Sequence, residues 1–283
     1  MTGGRKLNAE RAIFLAAVSQ QTYVQFESDG EFTLPTGFRT VTALIGRAGV
    51  PVSMPELFGF VIESDTTIVV AFRGTDSSPD VTSDLDLFQT PFDFVPDGGM
   101  VHRGGLAIYT SMREQILAAL RHLDCRKRLL LTGHSLGGGL ATLCALDVAV
   151  NSAFRRPKIY TFASGRVGDP QFVGTFDRRV PGSARIINVH DVVQFFPQKR
   201  YPPPFTPKAL VYRHVQQKFP IAFQTDNIPL NHLLANYLAR LCAVFPAACD
   251  QVCSENPGLC LPPGAAAPGA MVVAGSPELA VRR

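Results

Sequence analysis

The sequence predicts an α/β fold, with a mostly parallel central sheet flanked by helices. Short β-branched and aliphatic runs alternate along the chain with longer segments whose apolar residues recur at helical spacing, the order expected of strand and helix units that build a parallel sheet. One apolar run passes without a linker through Gly133-His-Ser-Leu-Gly137 into a helix-forming segment. A chain of 283 residues with 46% hydrophobic content can bury one substantial core, and no second fold is needed.

Taken in order, Ala9 to Val24 reads as an N-terminal helix. Its apolar stretch Ala12-Ile-Phe-Leu-Ala-Ala-Val18 is too short and badly flanked for a secretory signal: Glu10 precedes it, glutamines follow, and no small-x-small cleavage site appears. Paired strands fall between Leu57 and Phe72, the second being the β-prone run Thr66-Thr-Ile-Val-Val-Ala-Phe72. It stops at Arg73-Gly74-Thr75-Asp76, where glycine permits a tight turn. A helix follows near Leu106 to His122, then a buried strand from Arg128 to Thr132 and a helix from Leu140 to Ala149. Strands are expected at Lys158 to Ala163, Arg185 to Val189 and Leu210 to Val215. The last helix carries Leu233, Leu234, Tyr237, Leu238 and Leu241 on one face. No run of eighteen apolar residues occurs, so no membrane span is expected.

The strand, Gly-x-Ser-x-Gly and helix together read as a nucleophile elbow. There Gly133 and Gly137 remove side chains where the backbone doubles back, and Ser135 stands exposed at the apex. The helix start offers free amides to an anion. A bare glycine-rich helix start with a capping serine would give the same pentapeptide, so the rest of a triad must be found.

A serine is a weak nucleophile until a histidine takes its proton, and that histidine needs a carboxylate to fix its tautomer. On an elbow scaffold the chain order is Ser, then Asp or Glu, then His. His102 and His122 precede the serine, His134 lies inside the elbow, and His190 leaves almost no room for an acid between. His214 lies in a strand-like run, whereas His232 sits in the loop-like stretch Asp226 to His232 ahead of a helix, from which a base can reach over the sheet edge. His232 is therefore the expected base and His214 the runner-up. Among the acids, Asp147 is twelve residues down the helix from the serine, roughly 18 Å away at 1.5 Å per residue. Asp191 ends the strand-like segment Ala184 to Asp191, at a strand carboxyl end where open α/β sheets place functional groups. Asp191 is the expected acid; Asp169, in a Gly-rich turn, is the alternative. The oxyanion donors are expected to be the amide of Leu136, after the nucleophile, and Thr75 at the end of the Thr66 to Phe72 run.

The residues carry a resemblance to the class three lipases, the fungal-type lipase family of the α/β-hydrolase superfamily. The blocks that match, in order, are Phe72-Arg-Gly-Thr75 with Asp76, Ser83-Asp-Leu85, Val101-His-Arg-Gly104, Gly133 to Gly138, Phe162-Ala-Ser-Gly-Arg-Val-Gly-Asp169, Arg185 to Asp191, and Asn231-His232 with Tyr237. The resemblance spans about Leu7 to Leu241. The resemblance implies an α/β-hydrolase fold, Ser135 as nucleophile, Asp191 as acid, His232 as base, and Thr75 with Leu136 as oxyanion donors. It also implies that Asp169 is a turn residue and His102 a scaffold residue. Members often carry a tryptophan in a short lid after the oxyanion turn. Here Ser77-Ser-Pro-Asp-Val-Thr-Ser83 is polar and the chain has no tryptophan, which argues against interfacial activation by a lid.

The expected organisation is a lipase-like catalytic domain over 1–245 and a Cys-containing, Pro/Gly/Ala-rich tail over 246–283, flexible at its end. Cys242, Cys249, Cys253 and Cys260 lack the paired C-x2-C spacing of zinc ribbons. Disulfides suit them better, although the missing signal peptide points to a reducing compartment, and the two readings conflict. Cys125 and Cys144 read as buried small apolar residues. The net charge of +4, with no basic run longer than Arg126-Lys-Arg128, gives nucleic-acid binding little support and leaves a weak attraction to anionic lipid surfaces. Neither metal nor cofactor is expected. Without a signal peptide the expected location is cytoplasmic or peripheral to a membrane.

The expected chemistry is hydrolysis of lipid carboxylic esters through an acyl-enzyme. Phospholipase or acyltransferase action on the same triad, and an inactive binding protein of the same fold, are the alternatives. Two apolar, proline-rich segments, Phe88 to Pro96 and Phe195 to Phe205, either line an acyl groove, touch lipid, or simply cover core.

Overall fold

The structure, a computed structural model, describes residues 6–48, 54–75, 86–204, 207–215 and 218–260. The elements in chain order are α1 (Ala9–Glu27), β1 (Arg39–Gly46), β2 (Glu56–Glu63), β3 (Thr67–Phe72), β4 (Gln89–Pro91), β5 (Met100–His102), α2 (Arg103–Arg121), β6 (Arg128–His134), α3 (Leu136–Asn151) and β7 (Lys158–Phe162). There follow α4 (Pro170–Arg179), β8 (Gly182–Asn188), β9 (Arg200–Tyr201), β10 (Leu210–Val211), β11 (Lys218–Ile221), α5 (Ile228–His232), α6 (Leu234–Val244) and α7 (Pro246–Glu255). The seven-stranded sheet runs β1-β2-β3-β6-β7-β8-β11. The first three strands pair antiparallel, and from β3 to β11 every pairing is parallel.

Both faces of the parallel half are covered, so its strands read as continuous apolar runs whose residues alternate between two cores. In β3, Ile68, Val70 and Phe72 enter a core with α2 and α3, while Val69 and Ala71 enter the other core with α1 and α6. α3 is apolar all round because it lies against the sheet with α2 across it; its one buried carboxylate, Asp147, is held by Arg113, Tyr109 and Asn151. α1 opens on an Asn8 cap that accepts the Arg11 amide, and its small residues Ala12, Ala16 and Ala17 allow close approach to the sheet.

Two expectations need correcting, and the sheet holds a strand that the sequence reading did not name. β1 is an unforeseen strand. The Leu210 to Val215 run contributes only two strand residues, paired with β9 in a separate ribbon, and the true edge strand is β11, begun by Lys218. Cys125 is exposed, whereas Cys144 is buried. The segment that begins the expected tail opens with α7, which packs on α1, and Val252 and Leu259 join the core beneath. Disulfides Cys242–Cys249 and Cys253–Cys260 staple α6, α7 and the following turn; residues 261–283 lie outside the described residues. Among the described residues no helix is long and apolar enough to cross a membrane.

Candidate active site

β6 ends at His134 and α3 begins at Leu136, so Ser135 stands between them with φ 55° and ψ −124°. Such a conformation is strained for any residue with a Cβ and persists only where the surroundings impose it. The glycines on either side impose it by close approach. A Cβ on Gly133 would lie 2.3 Å from the Gly137 carbonyl, and one on Gly137 would lie 2.3 Å from the Phe72 carbonyl oxygen. The Ser135 amide is anchored to the Phe162 carbonyl of β7 at 2.9 Å. The serine is only 4% exposed, lying beneath its groove and not standing free at an apex.

His232 Nε2 lies 2.8 Å from Ser135 Oγ, and His232 Nδ1 lies 2.8 Å from Asp191 Oδ2. A carboxylate only accepts, so Nδ1 carries the proton and Nε2 is left to accept the serine O–H. Asp191 is buried, and both of its oxygens are hydrogen-bonded: Tyr237 O–H also donates to Oδ2 at 2.7 Å and the Val193 amide to Oδ1 at 2.9 Å. Burial and the neighbouring Asp191 raise the Tyr237 hydroxyl well above the ordinary phenol range, so it remains a donor. It in turn accepts the Asn188 amide at 2.9 Å.

His232 is delivered by α5 and not by a loop. Asn227 caps that helix by accepting the Leu230 amide, the Asn231 side chain is tied to Thr225 and Gln224, and the Asn188 side chain donates to the Asn231 carbonyl. The turn carrying His232 is thus hydrogen-bonded to the end of the strand that leads to Asp191.

On the other side of Ser135, β3 ends at Phe72. The buried Arg73 pairs with Glu56 at 2.8 Å, donates to the Leu57 carbonyl at 3.1 Å and lies over the Phe26 ring at 3.7 Å. These contacts fix the Gly74-Thr75 turn. Among the described residues Thr75 Oγ1 is buried without a hydrogen-bond partner, and Leu136, as the first residue of α3, has an amide with no intrahelical acceptor. The groove above Ser135 is lined by Leu87, His102, Leu136, Val167, Val193 and Phe196.

The runners-up are occupied elsewhere. His214 donates from Nε2 to the Gln194 carbonyl at 2.7 Å, and burial with the nearby Arg185 lowers it to about 3. Asp169 caps α4 by accepting the Phe172 amide at 2.8 Å and also accepts the Met100 amide. His102 caps α2 by accepting the Gly105 amide. Of the two apolar segments, Phe92 and Val95 are core, whereas Phe195 is exposed and Phe196 lines the groove. Phe205, Asp76 and the Ser77 to Ser83 stretch lie outside the described residues. The hydroxyls of Tyr23 and Tyr237 escaped the sequence reading. Tyr237 carried one signal, a hydroxyl in an otherwise aliphatic helix face, since a buried hydroxyl requires a partner.

Residues 69–201 match the family described as Lipase (class 3). That region is similar to the class 3 lipases. Among relatives, phospholipase A1-II 3 of Oryza sativa subsp. indica is 37% identical over 159 residues, covering 44% of the chain and 37% of that protein. The lipase of Rhizomucor miehei is 31% identical over 176 residues, covering 59% of the chain and 44% of that protein. The chain therefore spans less than half the length of either relative. Lipase II from Rhizopus niveus superposes with a TM-score of 0.58 at 21% identity over 68% of this chain and 75% of its own, a likeness of fold. The fold is of the α/β-hydrolase type, a mostly parallel sheet flanked by helices.

Proposed function

We propose that this chain is a serine hydrolase that cleaves carboxylic ester bonds of lipids through an acyl-enzyme, with Ser135 as nucleophile, His232 as base and Asp191 as acid. The reading is carried by the unbroken hydrogen-bond line from Ser135 Oγ through both nitrogens of His232 to Asp191. His232 Nε2 takes the serine proton as Oγ attacks the ester carbonyl carbon. The charge on the ring is balanced by Asp191, which Tyr237 and the Val193 amide hold in place. The oxyanion that forms is received by the amides of Thr75 and Leu136, and the Thr75 hydroxyl, buried and without a partner among the described residues, is a further donor. Each such donor is worth about 10²–10³ in rate. His232 then protonates the leaving alcohol, and water repeats the cycle to release the acid.

An apolar groove beside the serine suits an acyl chain. Val192, Phe195 and Ile228 are 39%, 55% and 57% exposed on the segments that follow Asp191 and precede His232, which supports peripheral contact of this rim with a lipid surface. The phospholipase A1 relatives favour a second reading, in which phospholipid is the lipid ester.

The test is hydrolysis of p-nitrophenyl esters from acetate to palmitate, of a triacylglycerol emulsion and of phospholipid vesicles, each beside Ser135→Ala. Serine-dependent turnover is expected, and the preferred substrate chooses between esterase, lipase and phospholipase. Equal rates for the two proteins on every substrate would overturn the catalytic reading in favour of an inactive binding protein.

A further inference from the structure

A second imidazole lies against the proposed base. The two-residue period of β6 puts Leu130, Thr132 and His134 on the face covered by α1, where Thr132 bonds Ser19 and His134 meets Tyr23. His134 Nε2 lies 2.7 Å from the backbone carbonyl of His232, and its Nδ1 lies 2.7 Å from the Tyr23 hydroxyl. A carbonyl only accepts, so Nε2 carries the proton. Burial, reinforced by the nearby His232, holds the ring neutral, with a pKa well below the ordinary histidine value. Nδ1 is then an acceptor, and Tyr23 O–H donates to it. The Tyr23 oxygen accepts the Gly74 amide at 3.2 Å. A Cβ on Gly74 would stand 2.4 Å from that oxygen and 2.8 Å from the His134 carbonyl oxygen, so only glycine lets the tyrosine in.

The line therefore runs from the Gly74 amide through the Tyr23 hydroxyl and the His134 ring to the His232 carbonyl. One end is the turn before Thr75, and the other is the backbone of the base. We propose that His134 is a positioning residue whose ring ties the His232 backbone to the Gly74-Thr75 turn, so that base and oxyanion donors keep a common distance from Ser135. The inference rests on the triad reading of Ser135, His232 and Asp191. Histidine suits the task because one rigid ring offers a donor and an acceptor on different edges. Its ring centroid lies 4.7 Å from that of His232, and as a neutral group it adds no positive charge beside a ring that must become imidazolium.

The experiment is steady-state kinetics of the full chain on a p-nitrophenyl ester, with thermal melting of each variant. The set is His134→Ala, His134→Gln, Tyr23→Phe, the double variant Tyr23→Phe with His134→Ala, and Ser135→Ala. His134→Ala is expected to lower kcat by about tenfold to a hundredfold, the scale of a small misplacement of catalytic groups, with KM within about twofold. His134→Gln restores an N–H toward the carbonyl and recovers most of the loss. Tyr23→Phe lowers kcat less, and the double variant is no worse than His134→Ala, because both substitutions break one line. Unchanged kcat in a folded His134→Ala, a loss confined to KM, or additive effects would overturn the proposal. Should His134→Ala fail to fold, Tyr23→Phe decides, supporting the proposal by lower kcat at unchanged KM and overturning it by wild-type kcat. Turnover surviving in Ser135→Ala sinks the triad reading and this inference with it. Turnover lost there, beside full kcat in the His134 variants, sinks this inference alone.

Discussion

Lowering the pH from 7 to 5 is expected to cost this fold about 2 kcal/mol at one side chain, His102. The ring is buried at the start of α2 beside the proposed groove, and its Nδ1 accepts the Gly105 amide at 2.9 Å. Protonation would bury a charge and remove the cap at once. Burial accordingly lowers its pKa from 6.5 to about 4, against a smaller upward pull from Asp86. Between those two values the unfolded chain holds a proton that the folded chain lacks, so unfolding becomes easier as pH falls. The contribution is intact above pH 6.5 and is lost progressively toward pH 4, with the full gap worth about 3 kcal/mol. The assay is urea unfolding at pH 7, 6 and 5 of the natural chain and of His102→Asn, whose amide oxygen can still cap the helix but takes up no proton in this range. The variant is expected to be the less stable at pH 7 through lost packing, and the difference should shrink by about 2 kcal/mol by pH 5. His214, lowered to about 3, titrates in both proteins and cancels. Parallel pH curves would refute the reasoning, because they would mean that His102 binds no additional proton on unfolding.

Asp191→Asn is expected to lower kcat by about 10⁴ while leaving the melting temperature near its original value, since the change is isosteric; a loss under about tenfold would remove Asp191 from the proposed acid role. Peptide mapping without reductant should recover Cys242 joined to Cys249 and Cys253 joined to Cys260. With a sequence separation of 7 in each, loop entropy assigns about 2 kcal/mol per bridge, so a reductant that left the melting temperature unmoved would contradict the pairing. Arg185 is buried with Nε and Nη1 unpartnered among the described residues, and burial lowers it to about 10. Arg185→Met should therefore raise stability by about 1 kcal/mol or more in urea unfolding, and a fall of that size would show that the guanidinium has a partner.

The parallel half of the sheet was legible because burial on both faces leaves continuous apolar runs such as Thr67–Phe72 and Arg128–His134. β1 was not, since its residues are partly exposed and only two of its eight positions are buried, which leaves neither a clean alternation nor an apolar run. β11 was hidden for the same reason: Lys218 and Pro220 are exposed on a short edge strand, while the stronger β pattern just before it spends itself on a two-residue ribbon. At the site, chain order and strand ends pointed to Ser135, Asp191 and His232, and the structure brings those three within hydrogen-bond reach of one another. Tyr23 could not be found that way. It lies 51 residues before Gly74 and 111 before His134, and no local pattern encodes a hydroxyl that meets its partners only once α1 has docked.

The sheet order explains why these distant residues meet. In a run of parallel strands every carboxyl end lies at the same edge, so β3, β6, β7 and β8 deliver Gly74, Ser135, Ala163 and the approach to Asp191 to one line. Ser135 lies between the strand that leads to Thr75 and the strand whose Phe162 carbonyl anchors its amide. Asp191 comes from one strand further and stands off far enough for an imidazole to fit between. His232, the proposed base, does not come from that line. It arrives on α5 after the edge strand β11 and is held by contacts from both sides: Asn188 takes the Asn231 carbonyl, and His134 takes the His232 carbonyl. The two bonds grip neighbouring peptide groups from β8 and β6, the strands that lead to Asp191 and to Ser135. The position of His232 is thus set by the same two strand ends that it bridges in the proposed triad.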